Sequence, residues 1–586
     1  MKVSDYIVAL LQRAGVRYVY GCVGGAVTHL VDSIFKEKNI RYIHSYHEQA
    51  AAFSASALAK YENTLGVAIA TSGPGATNLI TGIADAFFDS SPVLFITGQV
   101  NTYDFKYKRP IRQCGFQETD IVSIVKPITK YSVLLDRADK VEKELKKAIR
   151  TALSGRPGPV LVDIPLNIQR GEISPTSYEV DVVNEKKTRE IAKEDLEALC
   201  DDIVSSKRPL MLVGGGCRVA NAREKLASLA EQLSIPVVVS LLGKDCFPND
   251  HRLYAGFIGA YGNRYGNLAL AKSDFLLVLG SRLDSRQVGN VVAPFVNKKI
   301  VQIDLEPDET DRRFKKRRCI VSNVSEFIDQ FLDFAEVQTS SFKHGSEWLG
   351  KIDSLKRVFQ PLSEPKRAKV ESFHYSVMEE ISRNLSLEDI VCVDIGQNQM
   401  LAAQVLEIRG KQRFITSGGM APMGYSLPAG LSLAIASKRR VIVIAGDGGM
   451  QLNIHELNTV GKLRLPMVIF VLNNKSLGMI RQFQDLYFGS RYCDTDECSG
   501  YYSADFIEIA RAYGINGLRI DRKLADWRKR IRKAFGTDTK LPLLVQVDFD
   551  YPTYIYPKLE YDKPVDEPDP KLSKEEKAML SDLSVS

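Results

Sequence analysis

Two short stretches in the last third of the chain could together hold a charged ligand. Ala445-Gly446-Asp447-Gly448-Gly449 follows the apolar run Val441-Ile442-Val443-Ile444, and Leu472-Asn473-Asn474 follows Met467-Val468-Ile469-Phe470-Val471. Both runs are short and β-branched, the pattern of buried parallel strands. Between them Met450, Leu452, Leu457, Val460 and Leu463 recur at roughly helical spacing, and Pro466 ends the segment. Such a β-α-β unit sets Asp447 and Asn474 at the carboxyl ends of two strands in one sheet, where open α/β sheets bind ligands. A carboxylate and an amide oxygen, beside glycines that let backbone approach phosphate, suit an octahedral Mg²⁺ gripping a diphosphate. Asp447 flanked by glycines is as well explained by an ordinary strand-to-helix turn; it is the Asn473-Asn474 pair at this distance that favours the metal.

The elements that must place these residues belong to a long chain. Its 586 residues suffice for roughly three or four domains, each with its own core. Apolar content of 45% and charged content of 25% are those of a soluble globular protein. The net charge of +7, from 78 basic and 71 acidic residues, is too small an excess to argue for nucleic acid. The densest basic run, Lys315-Lys316-Arg317-Arg318, reads as a solvated surface turn. The nine cysteines are scattered, with no metal-ligand or CxxC spacing, and read as reduced thiols in a cytoplasm. Met1-Lys2-Val3-Ser4-Asp5-Tyr6 carries acid at once and leads into a helix pattern, unlike a signal peptide. No apolar stretch approaches ~18 residues, so no membrane span is expected.

Strands and helices alternate throughout, which predicts an α/β protein of three doubly wound parallel-sheet domains. The first, 1–170, runs strand into turn at Tyr18-Val19-Tyr20, Tyr42-Ile43-His44, Val67-Ala68-Ile69-Ala70, Val93-Leu94-Phe95-Ile96 and Val160 to Pro165. After a polar linker, a second domain (190–335) carries Leu210 to Val213 before Gly214-Gly215-Gly216, then Val237 to Val239, Phe275 to Leu279 and Ile300 to Ile303. A polar connection from about Gln338 to Lys369 leads to a third domain, 370–550. The tail, 551–586, places Pro564, Pro568 and Pro570 among charges and ends in a short charged helix; it reads as a mobile arm or a lid. Ile69 to Gly75 parallels Ile444 to Gly448, so the first and third domains look like divergent copies of one plan.

Seven motifs carry a resemblance to the thiamine-diphosphate enzymes, and within them to the acetolactate synthase branch, over about residues 1 to 550. They are His47-Glu48-Gln49, Thr71-Ser72-Gly73-Pro74-Gly75-Ala76-Thr77-Asn78, Phe116-Gln117-Glu118, Gly280-Ser281-Arg282-Leu283-Asp284-Ser285-Arg286, Gly396-Gln397-Asn398-Gln399-Met400, Ser417 to Tyr425, and the Asp447/Asn474 pair. The resemblance implies that Glu48 hydrogen-bonds N1′ of the cofactor's aminopyrimidine and drives its 4′-amino group towards the imino form. It implies that Gly25 faces the cofactor in its turn, that Gln99 and Gln117 line the reaction site, and that Pro74 and Asn78 lie against the same half. Asp447, Asn474 and the Ser476 carbonyl would hold Mg²⁺, with Gln397, Asn398, Gly446, Gly448, Gly449, Gly478 and Met479 around the diphosphate. Asn398 stands where the family has a histidine; an amide still donates to phosphate. Met423 matches the residue that bends the cofactor into a V, and the Ala421 carbonyl would hold the 4′-nitrogen.

The middle domain resembles the family's FAD-binding version. Arg156, Gly214, Gly215, Gly216, Gly262, Arg282 and Asp304 stand where the family contacts a flavin that is mostly structural there. A glycine triplet after a strand is weak evidence by itself. The resemblance also implies that the Glu48 domain of one chain meets the Asp447 domain of another, making a homodimer, or a homotetramer built from it, the active unit; a small regulatory subunit is a further expected partner. The implied reaction is decarboxylation of a 2-oxo acid and transfer of the two-carbon unit, in the first instance two pyruvates to 2-acetolactate and CO₂. For the acceptor, Arg286 and Phe116 are kept, whereas Leu166 replaces a lysine, Ala260 a methionine and Phe483 a tryptophan. These changes predict a wider, less positive pocket, so transfer to another aldehyde, ketone or keto-sugar is a second reading. A plain decarboxylase and a non-catalytic relative are weaker alternatives.

Overall fold

Strand and helix alternate three times over in a computed structural model that describes residues 1–180, 190–309, 314, 316–336, 346–536 and 540–581. The first sheet contains β1 (Tyr18–Gly21), β2 (Arg41–His44), β3 (Gly66–Ala70), β4 (Val93–Gln99), β5 (Tyr131–Leu134) and β6 (Val160–Pro165). The second contains β7 (Pro209–Val213), β8 (Val237–Val239), β9 (Tyr254–Phe257), β10 (Phe275–Leu279), β11 (Lys299–Asp304) and β12 (Arg317–Val321). The third contains β13 (Ile390–Val393), β14 (Arg413–Ile415), β15 (Val441–Gly446), β16 (Met467–Asn473), β17 (Asn516–Ile520) and β18 (Leu543–Asp548). Strands pair in parallel within each sheet, as the near-continuous apolar runs require of sheets covered on both faces.

Strand order separates the three. The first sheet runs β2-β1-β3-β4-β6-β5 and the third β14-β13-β15-β16-β18-β17, the same order once each is counted from its own first strand. That common topology bears out the divergent-copy reading. The middle sheet, β12-β11-β10-β7-β8-β9, is instead the 3-2-1-4-5-6 arrangement of dinucleotide-binding folds.

The first and third units share one core. The alanine-rich helix Glu48–Glu62 buries Ala50, Ala51, Ala52, Phe53 and Ala55 and packs on helix Ser426–Ser437. The Phe53 and Tyr425 rings lie 5.4 Å apart, and the Ser54 hydroxyl donates to the Pro428 carbonyl at 3.0 Å. Lys60 crosses this seam fully buried. Its ammonium reaches Asp89 at 2.7 Å and Asp85 at 3.3 Å, and Asp89 in turn accepts the Gly418 and Gly419 amides at 3.1 and 2.7 Å.

Four expectations change. The segment between β15 and β16 is no single helix: Asp447–Leu452 and Leu457–Leu463 are separated at Asn453 by a 3₁₀ turn, Ile454–Glu456. Arg317 and Arg318 open the edge strand β12, where Arg318 pairs with Asp202 at 3.4 Å, so a sheet edge rather than a turn solvates them; Lys315 lies outside the described residues. Most of the polar connection is helical: Ser346–Val358 buries Trp348, Ile352 and Leu355 against the middle sheet, and 337–345 lie outside the description. The tail is packed down. Arg264, fully buried, pairs with Glu364 at 2.9 Å and donates to the Pro568 and Pro570 carbonyls. Among the described residues no helix is long and apolar enough to cross a membrane.

Candidate functional site

Glu48 is the first residue of its helix, set there by the tight β2-to-helix turn. His47, the N-cap, accepts the Gln49 amide at 3.1 Å. Glu48 is buried, and its carboxylate accepts the Asn78 side-chain amide at 2.9 Å. Two glycine turns close on it. A Cβ at Gly75 would stand 3.1 Å from Glu48 Oε1 and 2.8 Å from Thr71 Cγ2, and one at Gly24 would stand 2.5 Å from Thr71 Cβ, so bulk is excluded on both sides. Gln117 adopts φ +62° against Gly73, itself at φ +63°. Glu48, Asn78, Thr71 and the Gly24-Gly25 turn thus form one contiguous cluster, with Pro74 exposed beside it. Gln99 is used otherwise. Its Nε2 donates to the Thr119 carbonyl and to Asp163, and its Oε1 accepts the Val100 amide, so its hydrogen bonds brace a loop.

Glu456 supports this turn from the third unit. Its carboxylate accepts the Tyr46 amide at 2.8 Å, and burial pushes its pKa up to about 7. Asn453, at the helix break, bridges Gln49 at 3.4 Å and the Gly424 carbonyl at 2.8 Å. Neither residue was visible as functional in the sequence, because both act on a segment some four hundred positions away.

The Asp447 half is built by β13, β15 and β16. Asp447 starts its helix after Gly446 and is 1% exposed. Its carboxylate accepts the Tyr501 hydroxyl at 3.0 Å, and burial pushes its pKa up to about 6. No cationic side chain pairs with it among the described residues, and so buried a carboxylate is costly unless a cation joins it. A Cβ on Gly448 would meet Leu477, Met423 and Tyr501 at 2.9 to 3.2 Å, and one on Gly449 would stand 2.5 Å from Asp394. Only glycine leaves this cradle open. Asn474 accepts the Ser476 amide at 3.2 Å and donates to Thr553 at 2.8 Å and to Gln397 at 3.3 Å. Gln397 donates to the Gly478 carbonyl at 3.0 Å, and Asn398 to the Asp394 carbonyl at 2.6 Å, with its Oδ1 facing Gly446. Met479 packs against the core below. Asp394 accepts the Gly424 and Ser426 amides at 2.9 Å, holding the bend that presents Met423; Ala421 sits in the same bend at φ +53°. Tyr501, Thr553 and Asp394 were missed, since isolated Tyr, Thr and Asp residues carry no spacing signal.

The donor set suits the implied groups. Asp447, the Asn474 amide oxygen and the Ser476 carbonyl are hard oxygens of the kind Mg²⁺ takes, with room left for phosphate oxygens. Within one chain, however, the hydrogen-bond partners of Glu48 and Asp447 do not overlap.

A cavity of about 950 Å³ opens between the middle unit and the other two. Arg156, Gly215, Gly216, Arg282 and Asp304 line it, as do Gln399, Gly418, Gly419 and Ala421. Gly214 and Gly262 lie outside that wall and serve close backbone contacts with Gly280 and with Ile258-Gly259. The guanidinium of Arg156 is already engaged by Glu309 at 2.7 Å and Glu306 at 3.1 Å, and Arg282 faces Asp284 at 3.4 Å. Of the five acceptor candidates, Ala260 and Arg286 line this cavity and are joined by an Ala260 N–H to Arg286 carbonyl bond of 2.8 Å. Phe483 is half-exposed on helix Gly478–Tyr487, and Phe116 is 85% exposed on its loop. Leu166 begins helix Leu166–Arg170. Neither Phe116 nor Leu166 lines the cavity.

Three family models match along the chain: the thiamine pyrophosphate enzyme N-terminal TPP binding domain over residues 1–124, its central domain over 196–331 and its C-terminal TPP binding domain over 394–547. The chain is 35% identical to a probable acetolactate synthase large subunit of Methanocaldococcus jannaschii over 89% of its own length and 88% of that protein. It is 36% identical to the chloroplastic acetolactate synthase 2 of Zea mays (89% and 82% covered), and 32% identical to the acetolactate synthase isozyme 3 large subunit of Escherichia coli (94% and 96%).

Proposed function

The chain belongs to the thiamine pyrophosphate enzymes, in the branch of the acetolactate synthase large subunits, and from that premise we propose that it joins two pyruvates to give 2-acetolactate and carbon dioxide. The enzyme is then a transferase that uses thiamine diphosphate and Mg²⁺. The observation that carries the reading is the pairing of two half-sites of complementary chemistry: a buried carboxylate, Glu48, walled by small residues, and a glycine cradle around Asp447.

Thiamine diphosphate, when bound, supplies a carbon that adds to a 2-oxo acid and takes up the electron pair released with carbon dioxide. Glu48 would hydrogen-bond the pyrimidine ring nitrogen, in a site dry enough to make a charge-assisted bond strong. Asp447, Asn474 and the Ser476 carbonyl would hold Mg²⁺, while Gly448, Gly449, Gln397 and Asn398 would receive the diphosphate. Met423, fixed by Asp394 through Gly424, would orient the two rings. Arg286 would receive the carboxylate of the acceptor, and Gln117 with Phe116, which do not line the middle cavity in the single chain, would close it from a second copy.

The half-sites meet across a homodimer in this reading. Val23, Phe116, Met420, Ile480 and Phe483, all near one half-site or the other, are 43% to 85% exposed in the single chain and would be covered by a second copy. The middle cavity would take FAD in a structural role. Its volume falls within the range of cofactor pockets, and the strand order is that of dinucleotide-binding sheets. A smaller regulatory subunit is a further partner, since the relatives are named large subunits. The test is to incubate the purified chain with pyruvate, Mg²⁺ and thiamine diphosphate and identify products by mass spectrometry. Acetolactate is expected; release of acetaldehyde alone would refute the ligation step.

A further inference from the structure

One loop, 495–503, closes over the ends of both strands that frame the Asp447 cradle. The Thr495 carbonyl accepts the Ser476 hydroxyl and, at 3.0 Å, the Leu477 amide. The Tyr501 hydroxyl donates to Asp447 Oδ2 at 3.0 Å, and the Ser503 hydroxyl donates to Asn473 Oδ1 at 2.8 Å. Asp447 follows β15 and Asn473 ends β16, so the loop spans the two strand ends that carry the site. Asp447 and Ser476, two of the three residues expected to hold Mg²⁺, are thereby fixed by a single segment.

The loop is braced for this task. The Asp496 side chain accepts the Ser499 amide at 3.0 Å, and the Ser499 hydroxyl bonds back to the Asp496 backbone, a closed capping box. Gly500, at φ +115°, turns the chain so that the Tyr501 amide donates to the Asp496 carbonyl at 3.0 Å. Thr495 Oγ1 donates to Gln484 Oε1 at 2.6 Å, which ties the loop to helix Gly478–Tyr487. The Tyr501 hydroxyl would stand 3.2 Å from a Cβ on Gly448, so it lies against the glycine cradle itself. Asp447 is 1% exposed, and in so dry a site water does not compete with a hydrogen bond that orients the carboxylate.

A carboxylate can meet a divalent cation through one oxygen or through both. Ca²⁺ accepts either mode in a flexible shell, whereas Mg²⁺ is smaller and demands near-octahedral geometry, which the narrow bite of a two-oxygen carboxylate spoils. A hydroxyl bonded to Oδ2 engages one of the two oxygens and fixes the plane of the group. We propose that Tyr501 is a positioning residue that sets metal specificity: it confines Asp447 to ligation through one oxygen and so favours Mg²⁺ over Ca²⁺. This rests on the thiamine diphosphate and Mg²⁺ reading above. It adds a residue that lies outside all seven sequence motifs and acts on the metal only through Asp447.

The test is calorimetric titration of the full chain with Mg²⁺ and, separately, with Ca²⁺, at saturating thiamine diphosphate and without pyruvate. Wild type, Tyr501→Phe and Ser503→Ala are compared. Tyr501→Phe keeps the ring and removes only the hydroxyl. It should weaken Mg²⁺ binding roughly tenfold or more, the scale of a lost group behind a metal ligand, while Ca²⁺ binding changes much less. Ser503→Ala loosens the same loop without touching the carboxylate, and should leave the ratio of the two affinities as in wild type. Equal losses for both cations in Tyr501→Phe, an unchanged ratio there, or the same change of ratio in Ser503→Ala would overturn the proposal. Should wild type bind Mg²⁺ and cofactor yet make no acetolactate from pyruvate, the synthase reading falls and the ratio still decides the role of Tyr501. Should wild type bind neither cation with thiamine diphosphate, the cofactor reading and this proposal fall together.

Discussion

The carboxylate of Glu456 accepts the backbone N–H of Tyr46 at 2.8 Å, so a residue of the third unit holds the turn from which Glu48 projects in the first. The bond crosses the shared core at the point where the Glu48 and Asn453 segments meet. It makes the placement of one half-site depend on the fold of the other.

Glu456 also predicts a pH dependence of stability. Burial raises its pKa from 4.5 to about 7 in the folded chain. The folded state therefore holds a proton that the unfolded state releases, and the resulting stabilisation is present below about pH 4.5 and lost as pH rises through 7. Glu456→Gln keeps an oxygen for the Tyr46 N–H and removes the titration. Urea unfolding should find the variant gaining about 2–3 kcal/mol on wild type between pH 5 and 8. A constant difference across that range would contradict the assignment.

Lys60 predicts a structural loss. Lys60→Met would leave Asp85 and Asp89 buried at the seam between the first and third units without their cation. The cost should be about 3–5 kcal/mol in chemical unfolding, the usual penalty for breaking a buried pair from one side. Wild-type stability would mean the cluster is not held by charge.

Asp447→Ala should remove the carboxylate that anchors Mg²⁺ while leaving the Gly448-Gly449 cradle in place. Calorimetry with thiamine diphosphate and Mg²⁺ should then find affinity weakened by roughly 100-fold or more. Unchanged affinity would refute the metal role.

Mixing chains tests the shared site. A Glu48→Gln chain and an Asp447→Ala chain each spoil both sites of their own homodimer. In a mixed dimer whose sites form between chains, one site keeps both residues, so a refolded one-to-one mixture should recover about a quarter of wild-type activity. Recovery of none would place both residues in one chain's site.

Much of this was legible in the chain because buried parallel strands are written as unbroken apolar runs. β3, β4, β7, β10, β15 and β16 are buried along most or all of their length and stand out for that reason. The edge strands β5, β12 and β17 are half-exposed and mix polar with apolar residues, which erases the signal. Helix Ser346–Val358 was taken for a polar connection because its buried residues are diluted by lysine and aspartate. At the site, Glu48 and Asp447 sit in local motifs. The parts that support them from elsewhere, Glu456, Tyr501 and Thr553, acquire meaning only when the chain folds back.

Glu48→Gln separates cofactor binding from proton transfer when one preparation is measured for both cofactor affinity and acetolactate formation. Thiamine diphosphate affinity should stay near that of wild type, since the diphosphate half is untouched, with turnover lowered roughly 10²- to 10⁴-fold, the scale of a lost proton-transfer group. Turnover at the wild-type rate with cofactor bound would contradict the role given to Glu48.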